Sequence, residues 1–85
     1  MTRNIIAILR GVKPSEVLEI ARTIAENGIT QIEVPMNSPD VFDSIQLLHD
    51  EMKDFISVGA GTVTNTNQIK ILEEIGIDFI VSPNF

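Results

Sequence analysis

Residues 28–35, with the sequence GITQIEVP, have a near copy 48 residues later in residues 76–83, GIDFIVSP. Each copy starts with a glycine, continues through a segment of strand length and ends in a proline. Because 48 residues accommodate two strand–helix pairs, the spacing predicts a chain built from repeated βα units. Such repeats are typical of a (β/α) barrel or of a doubly wound sheet.

On either side of these copies, short apolar runs alternate with segments whose apolar positions recur every 3.6 residues. The runs predict parallel strands buried on both faces, and the repeats predict amphipathic helices. Pro14 and Pro39 suit first helical turns, and Ser38 is predicted to cap the second helix. The predicted order is βαβαβαβ, with strands at 5–9, 30–34, 55–58 and 77–81 and helices at 14–27, 39–52 and 65–75.

Length and composition limit the classes of protein that fit. The 85 residues correspond to one domain, residues 1–85, whereas a closed eight-stranded barrel usually needs about 200 residues. Four strands would be half of such a barrel, and neither a barrel nor a doubly wound sheet would be complete at Phe85. A net charge of −6 argues against a nucleic-acid partner, and no apolar run reaches membrane-span length. We expect a cytoplasmic protein with no membrane partner.

Polar residues cluster where the predicted strands end, which is where parallel α/β sheets bind ligands. These residues are Arg10, Glu33, Asn37, Thr62 and Asn84. Simple alternation places Glu33 on the strand face opposite its apolar neighbours, and a buried carboxylate there needs a partner or a wet cavity. Arg10 is the candidate partner. Two interpretations stay open: a structural ion pair or water-exposed glutamate, and a general acid/base with a raised pKa.

Three other features of the sequence bear on function. The segment 59–62, GAGT, is predicted to follow a strand as a loop, whose glycines either let backbone N–H groups approach an anion or form a tight turn. His49 is predicted to lie on a helix surface. No cluster of histidine, cysteine and carboxylate has metal-ligand spacing, so no metal cofactor is predicted.

Four segments, in order, resemble the N-terminal part of the 2-keto-3-deoxy-6-phosphogluconate and 6-phosphogalactonate aldolases: 6–11 (IAILRG), 33–39 (EVPMNSP), 59–63 (GAGTV) and 82–84 (SPN). The resemblance implies that residues 1–85 are the N-terminal half of a (β/α)8 TIM barrel, a partial domain that is incomplete at the C-terminus. The family is usually a homotrimer. The resemblance also implies a class I aldolase that needs no metal and cleaves a phosphorylated keto sugar acid to pyruvate and glyceraldehyde 3-phosphate. Such chemistry belongs to Entner–Doudoroff or galactonate degradation.

By this resemblance Glu33 is the glutamate that shuttles protons, Arg10 and Thr62 contact the substrate and its carboxylate end, and Pro83 lines the pocket. The pair Asn37–Ser38 resembles the galactonate branch, since the gluconate enzymes tend to have Arg-Thr there, and the Asn37 amide would contact the substrate.

The family's Schiff-base lysine has no counterpart among Lys13, Lys53 and Lys70, which are predicted in or beside helices. We therefore expect these 85 residues alone to be inactive. The alternatives are a non-catalytic oligomerising half-barrel and another phosphosugar TIM-barrel enzyme, such as an isomerase.

Overall fold

A computed structural model describes residues 5–81 as a four-stranded parallel sheet with three helices. The strands pair in the order β1-β2-β3-β4, so that each strand lies beside the next one along the chain. A doubly wound sheet reverses its strand order, so the sequential order is that of a barrel. The elements are β1 (Ile6–Ile8), α1 (Pro14–Glu26), β2 (Gln31–Pro35), α2 (Val41–Met52), β3 (Ser57–Gly61), α3 (Thr66–Ile75) and β4 (Phe79–Val81).

One face of the sheet packs against the helices. The core on that face combines strand residues with the apolar stripes of all three helices, in one cluster. Its residues with no exposed surface include Ile32, Val34, Val58, Ala60, Val17, Ala21, Ile45, Leu48 and Leu72.

The other face of the sheet is not covered by α1, α2 or α3. Ile6 and Ile8 in β1 lie on this face, and 41% and 54% of their surfaces are exposed. The prediction that the first strand is buried on both faces is therefore wrong for residues 5–81. The apolar residues that suggested it face the side that would be the interior of a closed barrel.

The ends of α1 and α3 follow the sequence signals. Helix α1 starts at Pro14, and Gly28 follows it with a φ of 87°, a conformation in which glycine has no steric penalty. Helix α3 is capped by Asn65, whose side-chain oxygen accepts a hydrogen bond of 2.9 Å from the Gln68 N–H. In residues 5–81 no helix combines the length and the apolar character that crossing a membrane requires.

The start of the second helix differs from the prediction. Helix α2 starts at Val41, and its N-cap position is Asp40, which has a left-handed backbone (φ 47°) and forms no side-chain cap. Ser38 is therefore not the helix cap. The serine–proline pair mimics a helix start, but the Ser38 hydroxyl has another hydrogen-bond partner, described below.

The third strand also differs from the prediction, since it starts at Ser57 and includes Gly59–Gly61. Asp78, just before β4, fixes this position with two contacts to Val58. Its carboxylate accepts a hydrogen bond from the Val58 N–H, and its own N–H donates to the Val58 carbonyl, both at 2.8 Å.

The one-sided core predicts that the same substitution has different costs on the two faces of the sheet. Ile32→Ala should lower the free energy of unfolding by about 2–5 kcal/mol, because it leaves a cavity in the core. Ile8→Ala should lower it by only about 0.5 kcal/mol or less, since the side chain is largely exposed. Urea unfolding of the two variants measures both costs. Equal costs would contradict a core on one face only.

Candidate active site

The loops that follow β1, β2 and β3 lie side by side at one edge of the sheet. The ladder of backbone hydrogen bonds continues to this edge, where the Leu9 N–H donates to the Glu33 carbonyl at 2.9 Å and the Met36 N–H donates to the Gly61 carbonyl at 2.8 Å. Four of the predicted site residues, Arg10, Glu33, Asn37 and Thr62, lie at or near this edge.

Glu33 lies in the middle of β2, in register with Ile8 of β1 and Gly59 of β3. It faces away from the helices, yet only 5% of its surface is exposed. The interpretation of Glu33 as a water-exposed residue is therefore wrong. Burial raises the pKa of the Glu33 carboxyl, while the positive charge of Arg10 opposes that shift.

Arg10 acts on Glu33 through its charge. No side chain within residues 5–81 donates a hydrogen bond to the Glu33 carboxylate. Arg10 is exposed at the end of β1, where its guanidinium remains accessible to a ligand. Burial favours the protonated form of a carboxyl group, so Glu33 is suited to accept and return a proton.

Gly59 and Gly61 lie on the same face of the sheet as Glu33, inside β3. A side chain at Gly61 would overlap the Glu33 carboxyl, and one at Gly59 would overlap the ring of Phe79. The prediction that these glycines form an anion-binding loop or a tight turn is therefore wrong. They are glycines because neighbouring side chains occupy the space above them.

Arg10 and Asn37 lie in two different loops that one hydrogen bond connects. The Gly11 N–H donates to the Ser38 Oγ at 3.2 Å, and only 6% of the Ser38 surface is exposed. Gly11 has a φ of 75°, which a residue with a side chain would adopt only with strain. Sequence analysis missed this contact because the Ser-Pro pair suggested a helix cap.

Thr62 follows β3 directly and is exposed, with a φ of 57°. A left-handed backbone is rare for a β-branched residue and costs about 1–3 kcal/mol, and such strain concentrates at functional sites. Pro83, the remaining predicted site residue, lies outside the described residues, as does Asn84.

The lysines and the histidine lie in or beside the helices, and Lys13 ends the loop that follows β1 at this edge. Lys13, Lys53 and Lys70 are exposed and lie in or beside helices, as predicted. His49 is half-buried beside Gly76, and its buried Nδ1 has no hydrogen-bond partner, so the prediction of a surface histidine is wrong. No group of three or more potential metal-ligating side chains occurs between residues 5 and 81.

A sequential parallel sheet with helices on one face, and a buried carboxyl on the other, defines half of a (β/α)-barrel with its candidate site at the carboxyl ends of the strands. The sequence matches the family described as "Aldolase: KDPG and KHG aldolase" over residues 1–85. The chain belongs to this aldolase family.

Individual relatives agree with the family match. A probable 2-dehydro-3-deoxy-6-phosphogalactonate aldolase of Rhizobium meliloti is 44% identical over 84 residues, which cover 99% of this chain and 40% of the relative. The 2-dehydro-3-deoxy-6-phosphogalactonate aldolase of Escherichia coli is 39% identical over 80 residues, covering 94% of this chain and 39% of the relative. The chain thus spans about two fifths of these relatives.

Among solved structures, one described as "Native KDPGal structure" superposes with a TM-score of 0.90 and 39% identity. The superposition covers 94% of this chain and 39% of that chain. The four strands and three helices are therefore the N-terminal half of a (β/α)8 barrel, as the sequence predicted.

The raised pKa of Glu33 predicts a specific pH dependence of stability. The folded chain holds the Glu33 proton more tightly than the unfolded chain, so stability should fall as pH rises from the ordinary glutamate pKa through the folded value. Glu33→Gln should therefore be more stable than the parent above this window, and the difference should shrink below it. Thermal unfolding across pH measures this, with exposed Glu19→Gln as the control. A gain that does not vary with pH would contradict the prediction.

The Ser38 contact predicts opposite results at two buried serines. Ser38→Ala should lower the free energy of unfolding by about 1–3 kcal/mol, because the Gly11 N–H loses its acceptor. Ser44→Ala should be neutral or stabilising, since the buried Ser44 Oγ has no hydrogen-bond partner. Urea unfolding compares the two variants, and an equal loss at both positions would show that the Ser38 bond contributes nothing.

Proposed function

We propose that the protein is a class I aldolase, which cleaves a 2-keto-3-deoxy-6-phospho sugar acid of the galactonate type to pyruvate and glyceraldehyde 3-phosphate. The observation that carries the proposal is the buried Glu33 carboxyl on the barrel-interior face, with its raised pKa. Membership of an aldolase family favours this reaction over an isomerisation.

Glu33 is proposed to move the proton during cleavage. Its carboxylate accepts the proton of the C4 hydroxyl while the C3–C4 bond breaks, and the bond's electrons pass to the Schiff base at C2. This leaves an enamine on the lysine. Glu33 then returns a proton to C3, and water releases pyruvate. A base that must accept and return one proton needs a pKa near the working pH, which burial of Glu33 favours.

The residues at the strand ends are proposed to hold the substrate. The exposed Arg10 guanidinium and the Thr62 hydroxyl suit the substrate carboxylate, since both can donate hydrogen bonds to an anion. Asn37 would read a sugar hydroxyl through its amide, and Pro83 would line the pocket. The bond between Gly11 and Ser38 keeps the loops of Arg10 and Asn37 together.

The nucleophile of this reaction is proposed to come from outside these 85 residues. A Schiff-base lysine must be desolvated and aimed into the barrel. Lys13, Lys53 and Lys70 are all exposed and lie in or beside helices, and none lies on a strand beside Glu33. The 85-residue chain by itself would then carry the proton shuttle without the covalent catalyst, and would be inactive.

The galactonate preference rests on Asn37 and on the two relatives named above, both of which are named for the phosphogalactonate substrate. In this role the protein would work in the cytoplasm in galactonate degradation, or in an Entner–Doudoroff route if the gluconate epimer is its substrate. It would act without a metal. It would form a homo-oligomer, and the family resemblance favours a trimer.

The exposed apolar surfaces of Ile6 and Ile8 favour a second candidate, a non-catalytic half-barrel that associates with another copy through this face. A discrete oligomer of the 85-residue chain would support it only if no form of the protein reacts with pyruvate.

The proposal predicts where pyruvate forms a covalent adduct. After incubation with pyruvate and borohydride, the 85-residue chain should keep its mass of 9.4 kDa, and the protein in the form its natural gene encodes should gain one reduced pyruvate. Intact-mass spectrometry measures both. An adduct on the 85-residue chain would place the nucleophile at Lys13, Lys53 or Lys70 and contradict the proposed site.

Glu33→Gln provides the matched control in the gene-encoded form. It should still give the pyruvate adduct, while its cleavage rate falls by about 10²- to 10⁴-fold, because general acid/base catalysis contributes that much. Glu19→Gln, on the exposed surface of α1, should leave both unchanged. A Glu33→Gln protein that cleaves at the parent rate would remove Glu33 from the mechanism.

A further inference from the structure

Two glycines stand in the interior of β3, where glycine normally weakens a strand. Neither Gly59 nor Gly61 has a positive φ, so the backbone at these positions would accept other residues. The reason for glycine must therefore lie in the space that a side chain would fill.

The two positions differ in what fills that space. At Gly59 a Cβ would overlap the ring of Phe79, its partner on β4. At Gly61 a Cβ would overlap Glu33 Oε1 and crowd the rest of the carboxyl group. Glu33 is in register with Gly59, so its side chain leans along the strand direction and crosses to the next inward-facing position, Gly61.

We propose that Gly61 is the positioning residue for the Glu33 carboxyl. Its bare backbone forms a slot in β3 that holds the carboxyl at the strand end and keeps water from one side of it. The role of this slot in catalysis depends on the proposed function. The existence of the slot is inferred from the close approach of Glu33 to Gly61 and from the backbone of Gly61, which has no positive φ.

The slot also accounts for the burial of Glu33. The neighbour on the other side, Ile8 of β1, is 54% exposed and leaves that side open, so β3 supplies the close cover. A methyl group at Gly61 would occupy the position of Oε1. The carboxyl would then rotate toward the open face of the sheet, where water solvates its charged form.

The test is an NMR titration of the Glu33 side-chain carboxyl in the protein as its natural gene encodes it. In Gly61→Ala the titration midpoint of Glu33 should move to lower pH, toward the ordinary glutamate value. In Gly59→Ala, which adds the same methyl group to the same face of the same strand, the midpoint should stay near the parent value. An unchanged Glu33 midpoint in Gly61→Ala would overturn the proposal.

Catalysis supplies a second readout. Gly61→Ala should lower kcat by about 100-fold, the scale of a misplacement of about 1 Å, with a smaller change in KM. The acid limb of its pH profile should move to lower pH together with the NMR midpoint. A fall in thermal stability with an unmoved pH profile would show a purely structural glycine and overturn the positioning role.

A double-mutant cycle keeps the proposal testable if Gly61→Ala folds poorly. Gly61→Ala should cost much stability in the parent and little in a Glu33→Ala background, where the carboxyl is gone. Equal costs in both backgrounds would overturn the proposal. The NMR and stability measurements do not depend on aldolase activity. An inactive protein would contradict the proposed function, and these two measurements would still test the positioning of Glu33 by Gly61.

Discussion

The alternation of side chains along β2 is the constraint on which the rest of the structure depends. Ile32 and Val34 point to one face and become fully buried under the helices, so Glu33 between them must point to the other. A shift of one residue in register would put the carboxyl into the apolar core and the two aliphatic residues outside it. The core therefore fixes the side of the sheet on which the proposed chemistry would take place.

The position of Glu33 lowers the stability of the fold in two ways. The Glu33 side chain is buried and accepts no hydrogen bond from a side chain within residues 5–81, and the charge of Arg10 offsets only part of the effect of burial on its pKa. In the neighbouring strand β3, two inward-facing positions are glycines, Gly59 and Gly61. Thr62, directly after β3, has a strained left-handed backbone. These features reduce stability around the proposed catalytic carboxyl, as is common for catalytic sites.

Much of this arrangement could be predicted from the sequence, because it depends on local periodicity. The order of the elements and the starts of α1 and α3 follow from apolar spacing and end signals, and the inward direction of Glu33 follows from alternation. The missed features depend on contacts between distant residues. Ser38 binds Gly11, 27 positions earlier, and Gly61 accommodates Glu33 of another strand. Likewise the start of β3 depends on Asp78, and no pattern within 55–62 reveals it.

The sequential strand order has a consequence for how the fold is assembled during translation. Each strand pairs with the one synthesised just before it, so the sheet can grow at a single edge as the ribosome delivers successive βα units. Once α3 has packed, Ile6, Ile8 and Val81 on the other face of the sheet remain exposed. A nascent chain at this stage exposes an apolar sheet surface and an unpaired edge strand. Surfaces of this kind promote aggregation and are the ones that chaperones bind.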